Sequence, residues 1–179
     1  MTIYSSRSEL SEIQRVLYGY LKLPIAEDCV PGKLMEAVIA HVRQGRSLST
    51  YDYVDVIQEK SRVGWSVKST KSSTPLTWKR AKIANKSSLI AESLRSDEGL
   101  EVLGLAILDF CNKHAIESME RYGLDAIGYA RLILFPDGTV RYFERALCDR
   151  ANPNIFDPAL FEWRWSSERA QGRKEQLRA

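Results

Sequence analysis

The sequence predicts an α/β fold, a mixed β-sheet flanked by helices, and three observations carry that prediction. Two stretches near the N-terminus and a long one after residue 100 repeat apolar residues at three- and four-residue intervals, the period of amphipathic helices. Two other regions concentrate β-branched and aromatic residues around short polar breaks, as paired strands do. The helical and strand-like stretches are interleaved along the chain, which favours a layered α/β arrangement over an all-helical or all-strand one. With 179 residues, 44% hydrophobic and 27% charged, and only 10 Gly and 6 Pro, the chain fits one globular domain and excludes collagen-like, disordered or low-complexity classes.

Taken in order, Ser8 to Leu21 places Leu10, Ile13, Val16, Leu17, Tyr20 and Leu21 on one helical stripe, and Pro24 closes it. A second helix starts at Pro31, carries Leu34, Val38 and Val42 with Met35 and Ile39 alongside, and ends near Gly45; Glu36 sits on its flank. A strand pair follows, from Tyr51 to Glu59 and from Val63 to Ser69. If its turn is the two residues Ser61 and Arg62, Asp55 lies opposite Lys68 and Ile57 opposite Ser66. Alternate residues share a face, so Asp55, Ser66 and Lys68 then point to one side. A loop one residue longer would favour Asp52 instead. By the same alternation Trp65 faces the core.

Residues 69–91 are hydroxyl-rich and basic with an isolated Trp78 and no clean period, which reads as a surface loop. A long helix runs from about Leu100 to Tyr122, with Leu103, Ile107, Phe110, Cys111, Ile116 and Met119 inward, and Gly123 as its stop. Ala126 to Phe135 and Val140 to Leu147 form a second hairpin around Pro136, Asp137 and Gly138. The stretch from Phe156 to Trp165 is aromatic and packs on the body, and the tail from Ser166 is charged. The expected organisation is therefore a single domain, with an N-terminal helix in 1–30, a core in 31–147, and an aromatic segment and tail in 148–179.

Composition narrows the chemistry. Cys29, Cys111 and Cys148 match neither a disulfide framework nor a metal knuckle, so reduced structural thiols are expected. His41 and His114 are the only histidines, too few for His-rich zinc sites, and His114 reads as structural. Any metal site must be oxygen-rich. No signal-like N-terminus and no membrane-length apolar run is present, and a cytoplasmic protein is expected.

Chemistry concentrates around Asp52 or Asp55 and the segment Gly64-Trp65-Ser66-Val67-Lys68-Ser69, with Glu36 on the preceding helix. Hydrolysing a phosphodiester requires neutralising negative charge, activating water and stabilising the leaving oxygen. Mg²⁺ held by one or two carboxylates suits that work, and a nearby Lys can lower the pKa of the attacking water and hold the phosphate.

A helix bearing Glu, a strand with Asp, a paired strand ending in x-x-Lys and a further helix resemble the PD-(D/E)XK nuclease superfamily. The segment from Gly64 to Thr70 resembles type II restriction endonucleases whose last motif is Ser-x-Lys, HpaII-like enzymes above all. The resemblance covers mainly residues 31–83. It implies a restriction-endonuclease-like core, Asp55 or Asp52 as metal-binding carboxylate, and Lys68 as catalytic lysine. Ser66 stands where a second carboxylate is usual, and Glu36 or Glu92 can fill that role; Gly32-Lys-Leu-Met-Glu36 resembles the superfamily's Gly-x-x-x-Glu helix and favours Glu36.

The formal net charge of +3 hides a polarised chain. Eight basic residues and no acid lie between Lys60 and Ala91, which leaves 18 basic and 23 acidic residues elsewhere, formally −5. Lys71, Trp78, Lys79, Arg80, Lys82 and Lys86 are accordingly candidate DNA contacts through phosphate pairing and stacking. The expected function is a Mg²⁺-dependent endodeoxyribonuclease cutting double-stranded DNA as a homodimer. The alternatives are a non-catalytic nucleic-acid-binding module and a repair or recombination nuclease on the same core.

Overall fold

In a computed structural model, residues 2–24, 30–49, 52–71 and 82–165 are described. They form a mixed α/β structure with a five-stranded sheet. Two compact units emerge, one containing the described residues up to 71 together with 114–155, the other containing 82–113 and 156–165. This division cuts across the expected segments and runs through the long helix.

The first unit opens with helix α1, Arg7–Leu21. Ser6 accepts a hydrogen bond from the Glu9 amide and the Glu9 carboxylate answers to the Ser6 amide, a capping box that satisfies two otherwise orphaned donors. Helix α2, Gly32–Val42, starts immediately after Pro31 and buries Met35, Val38, Ile39 and Ala40. Strands β1 (Arg46–Ser47), β2 (Val56–Gln58) and β3 (Val63–Lys71) follow, then β4 (Ala126–Leu134) and β5 (Val140–Asp149). The sheet order is β1-β2-β3-β4-β5; β3 and β4 are parallel and the other neighbours antiparallel.

The β2–β3 hairpin differs from the expected register by two residues. Val56 pairs with Trp65, Ile57 with Gly64 and Gln58 with Val63, around a four-residue turn instead of a two-residue one. An even shift preserves side-chain parity, so Asp55, Ser66 and Lys68 still share a face. The first strand is also shorter than expected, because residues before Asp55 leave the ladder. β1, with only two residues, gave no sequence pattern to detect.

One face of the sheet carries the core with α1 and α2. Val63, Trp65 and Val67 of β3 and Ala130 and Leu132 of β4 pack there with Ile13, Leu17, Met35 and Ile39. Trp65 is fully buried, as its alternation predicts; its indole N–H donates to the Ile3 carbonyl at 3.2 Å, and the Arg43 guanidinium lies 4.9 Å from its ring centroid. Gly128, directly paired with Trp65, makes room for that ring: a Cβ there would come within 2.9 Å of it. Arg43 is itself buried and ion-paired with Glu144 of β5 at 2.8 Å, so a charge in this core is compensated.

In the second unit, the hydroxyl-rich stretch expected to be loop contains helix α3, Lys86–Arg95. Its only fully buried residue is Ser93, which is why no apolar stripe advertised it. Helix α4, Asp97–Tyr122, begins three residues earlier than expected and contributes to both units, stopping at Gly123, whose φ of 61° is the left-handed conformation suited to glycine. The aromatic C-terminal segment packs within this unit: Asn112 exchanges two 2.9 Å hydrogen bonds with the Phe156 backbone, and Trp165 donates to the Ser93 carbonyl at 3.1 Å. Among the described residues no helix is long and apolar enough to cross a membrane.

Candidate functional site

The site is built from the end of the β2–β3 ladder. The chain before β2 diverges after Asp55, whose amide donates to Trp65 at 2.8 Å and whose carbonyl accepts from Leu48 at 2.8 Å. The next outward-pointing amide of β3, that of Val67, therefore has no β2 carbonyl to meet. The Asp55 carboxylate takes its place: Oδ2 accepts from the Val67 N–H at 2.8 Å, the Lys68 ammonium at 3.3 Å and the Ser66 hydroxyl at 3.4 Å. Three donors converge on one oxygen, and Oδ1 accepts nothing from the described residues. Asp55 and Lys68 side chains are each 21% exposed, so the pair is partly desolvated yet open to a ligand.

Glu36 lies on α2, which packs on the face of β3 opposite Lys68. Lys33, one turn earlier, connects it electrostatically to the cluster. Its ammonium is 2.6 Å from Glu36 and its pKa is raised, first by that hydrogen bond, with burial opposing, and then by the charges of Glu36 and of Asp55. One cation thus feels both carboxylates. Lys33 was not singled out from sequence, where it reads as an ordinary solvated helix residue.

Asp52 has a different role. Its carboxylate is 2% exposed, ion-paired with Arg121 and hydrogen-bonded by Tyr122 Oη at 2.6 Å, which ties the chain before β2 to the end of α4. Both oxygens are engaged there, and it is Asp55 that meets Lys68. Glu59 pairs with Arg46 at 3.0 Å at the turn end of the hairpin. Glu92 pairs with Arg95 on α3, in the second unit. His114 stands 3.5 Å from Glu117 on α4.

No family model, curated protein or solved structure matches this chain. Its site is therefore read from its own residues.

The described residues of the basic run are divided between the two units. Lys60 and Arg62 line a cavity of about 620 Å³ at the turn, with Arg62 paired to Asp125 at 2.9 Å. Lys71 alternates with Lys68 in the wrong phase and belongs to the opposite side of β3. Lys82 and Lys86 are exposed in the second unit, Lys86 as the first residue of α3. Trp78, Lys79 and Arg80 lie outside the described residues.

A different set of cations shares the Lys68 face. Lys68 pairs with Arg131 of β4, and Arg131 with Phe143 of β5. Tyr129 pairs with Arg145, and Ile133 with Arg141, on the same face. Across the described strand residues of β3, β4 and β5 this face holds Lys68, Arg131, Arg141 and Arg145 and no carboxylate. The alternation Arg141-x-Phe143-x-Arg145 was legible in the sequence once the segment was taken as a strand.

Among the described residues no three His, Cys, Asp or Glu side chains converge on a metal position. An ion held at Asp55 Oδ1 would gain Glu36 as a second carboxylate if that side chain left its 2.6 Å pair with Lys33. Such a sparse, all-oxygen donor set fits Mg²⁺, which retains several waters in its shell.

Proposed function

We propose that the chain is a Mg²⁺-dependent endodeoxyribonuclease that hydrolyses phosphodiester bonds of DNA. The observation that carries this reading is the convergence of Lys68, Ser66 and the Val67 amide on one oxygen of Asp55, which leaves the other open. Support comes also from the order of elements: a Glu-bearing helix, a short strand entered from Asp55, a paired strand carrying Lys68 and a further helix follow one another as in the resemblance.

In this mechanism Asp55 and Glu36 would hold the ion. When bound, Mg²⁺ supplies a Lewis acid and a water of lowered pKa. Ser66 and the Val67 amide fix the Asp55 rotamer, so that the free oxygen is presented in one orientation. Lys68 carries its positive charge beside the same carboxylate, where it can bind a non-bridging phosphate oxygen and stabilise the charge that develops on it. Cleavage of a duplex in both strands would require a homodimer, and the buried thiols of Cys111 and Cys148, which form no disulfide, suit a reducing cytoplasm.

A second reading, a repair or recombination nuclease acting on branched or single-stranded DNA, is favoured by one observation, the exposed arginines and aromatic of β5 on the sheet face that carries Lys68. The test is cleavage of plasmid, linear duplex and branched DNA with Mg²⁺ by the wild type and Lys68→Ala. Cleavage abolished by the substitution is expected; no cleavage of any DNA, or equal cleavage by the variant, would overturn the nuclease reading.

A further inference from the structure

We propose that the exposed face of β5, with the half-buried Arg131 of β4 beside it, is a platform for an unpaired DNA strand, in which Arg131, Arg141 and Arg145 hold phosphates and Phe143 stacks on a base. The proposal takes its polymer from the second reading above. It is measured as binding, so that it can fail or succeed apart from catalysis.

Three features of the face support it. First, its cations are uncompensated: among the described residues Arg131, Arg141 and Arg145 make no ion pair, and the nearest carboxylate of β5, Glu144, points to the other side, where Arg43 holds it at 2.8 Å. Isolated like charges on one sheet face repel one another, and a polyanion relieves that repulsion. Second, two of the cations are pre-oriented. Arg131 donates through Nε and Nη2 to Thr70 Oγ1 at 3.2 and 3.1 Å, and Arg141 lies 5.3 Å from the Phe135 ring centroid. Both contacts fix the side chain without consuming its charge.

Third, the face has an aromatic at its centre. Phe143 is 38% exposed and leans at 56° on the buried Tyr129, with ring centroids 5.9 Å apart, which holds the ring in place while leaving part of it to solvent. Arg141 and Arg145 flank it two residues away on each side, a span of about 13 Å along the strand. An exposed ring between cations suits a strand whose bases are splayed, because stacking needs an unpaired base face that a duplex keeps covered. One strand-width on, Arg131 pairs with Lys68, so the platform leads directly to Asp55.

The experiment is fluorescence anisotropy on the full chain in EDTA, with a labelled short oligothymidylate and a duplex of the same length across a salt series. The wild type should bind the single strand more tightly than the duplex. Phe143→Ala should weaken single-strand binding by roughly five- to a hundredfold. Arg141→Gln with Arg145→Gln should reduce the slope of log K against log salt by about 1.4. Arg15→Gln, an exposed α1 cation, should leave both quantities unchanged, and thermal melting by circular dichroism establishes that each variant is folded. Absence of single-strand binding by the wild type, or tighter binding of the duplex, overturns the platform. So does unchanged single-strand binding in folded Phe143→Ala and in the double variant, which would leave the arginines as guards of an edge strand. Cleavage lost in Lys68→Ala with binding indifferent to Phe143 keeps the nuclease and removes the platform; binding that needs Phe143 without any Mg²⁺-dependent cleavage does the converse.

Discussion

Asp52 and Asp55, three residues apart, are committed to opposite tasks: the first is buried in an ion pair with Arg121, the second meets Lys68 at 3.3 Å with one oxygen to spare. Their substitutions should therefore separate stability from activity. Asp52→Asn should lower the unfolding free energy by about 1–3 kcal/mol, because a buried hydrogen-bonded charge loses its partners, while the folded fraction retains its Mg²⁺-dependent cleavage. Asp55→Asn should melt near the wild type and lose cleavage by roughly 100-fold or more. Denaturant unfolding and a cleavage assay on the two variants check this; the reverse pattern would assign the metal to Asp52.

Lys33 is ion-paired with Glu36 at 2.6 Å and also feels the charge of Asp55, the two carboxylates proposed to hold the ion. Removing that competing charge should favour the ion. Lys33→Met should lower the Mg²⁺ concentration for half-maximal cleavage by several-fold, an order set by one nearby unit charge at the protein surface. A titration of rate against Mg²⁺ reads it, and a raised requirement would place Lys33 on the substrate.

Gly128 should not tolerate a side chain. In Gly128→Ala the new methyl would press on Trp65 and on Ile3, and overpacking of this kind costs about 1–3 kcal/mol. The expected result is a lower denaturation midpoint with an altered near-ultraviolet Trp signal.

The capping box of α1 should respond to acid. Burial acts to raise the Glu9 pKa, but the Ser6 amide and hydroxyl and the Arg43 charge together hold it below the usual 4.5. A depressed carboxylate stabilises the fold above its unfolded pKa and loses that contribution as pH falls through the lower folded value. Ser6→Ala should cost about 1 kcal/mol at neutral pH, and the gap between variant and wild type should narrow below pH 4.5 in melting experiments.

Cys148 should resist alkylation. Burial, reinforced by the charge of Asp149 and offset in part by the Ile127 backbone, pushes its thiol up to about 12, so almost no thiolate exists at pH 8. Mass spectrometry after iodoacetamide treatment should find Cys148 unmodified in the folded protein and modified after denaturation.

How far the sequence spoke depended on where side chains point. The Asp55, Ser66 and Lys68 face was legible because side-chain parity survives an even slip in register, even though the turn is four residues and not two. Trp65 was legible as core for the same reason. Helix α3 was not, because a helix that fully buries only Ser93 leaves no apolar period. Charge along a chain is not charge on one face: alternation sends Lys71 to the side opposite Lys68, and Arg62 is neutralised by Asp125. Arg131, Arg141 and Arg145 meet across the β4–β5 hairpin, but they join Lys68 only through the pairing of β3 with β4, strands distant in sequence, which composition does not encode.

That last difference reaches into how the molecule folds. Asp55, Ser66 and Lys68 meet within a single hairpin, a contact with little loop to close, whereas β3 finds β4 through partners such as Val63 and Ala126 that lie far apart in the chain. Loop-closure entropy makes the first contact fast and the second slow. A refolding chain should thus acquire its Asp55 and Lys68 pair before the arginines of the β4–β5 hairpin join it, and a chain stalled at that stage would hold the first without the second.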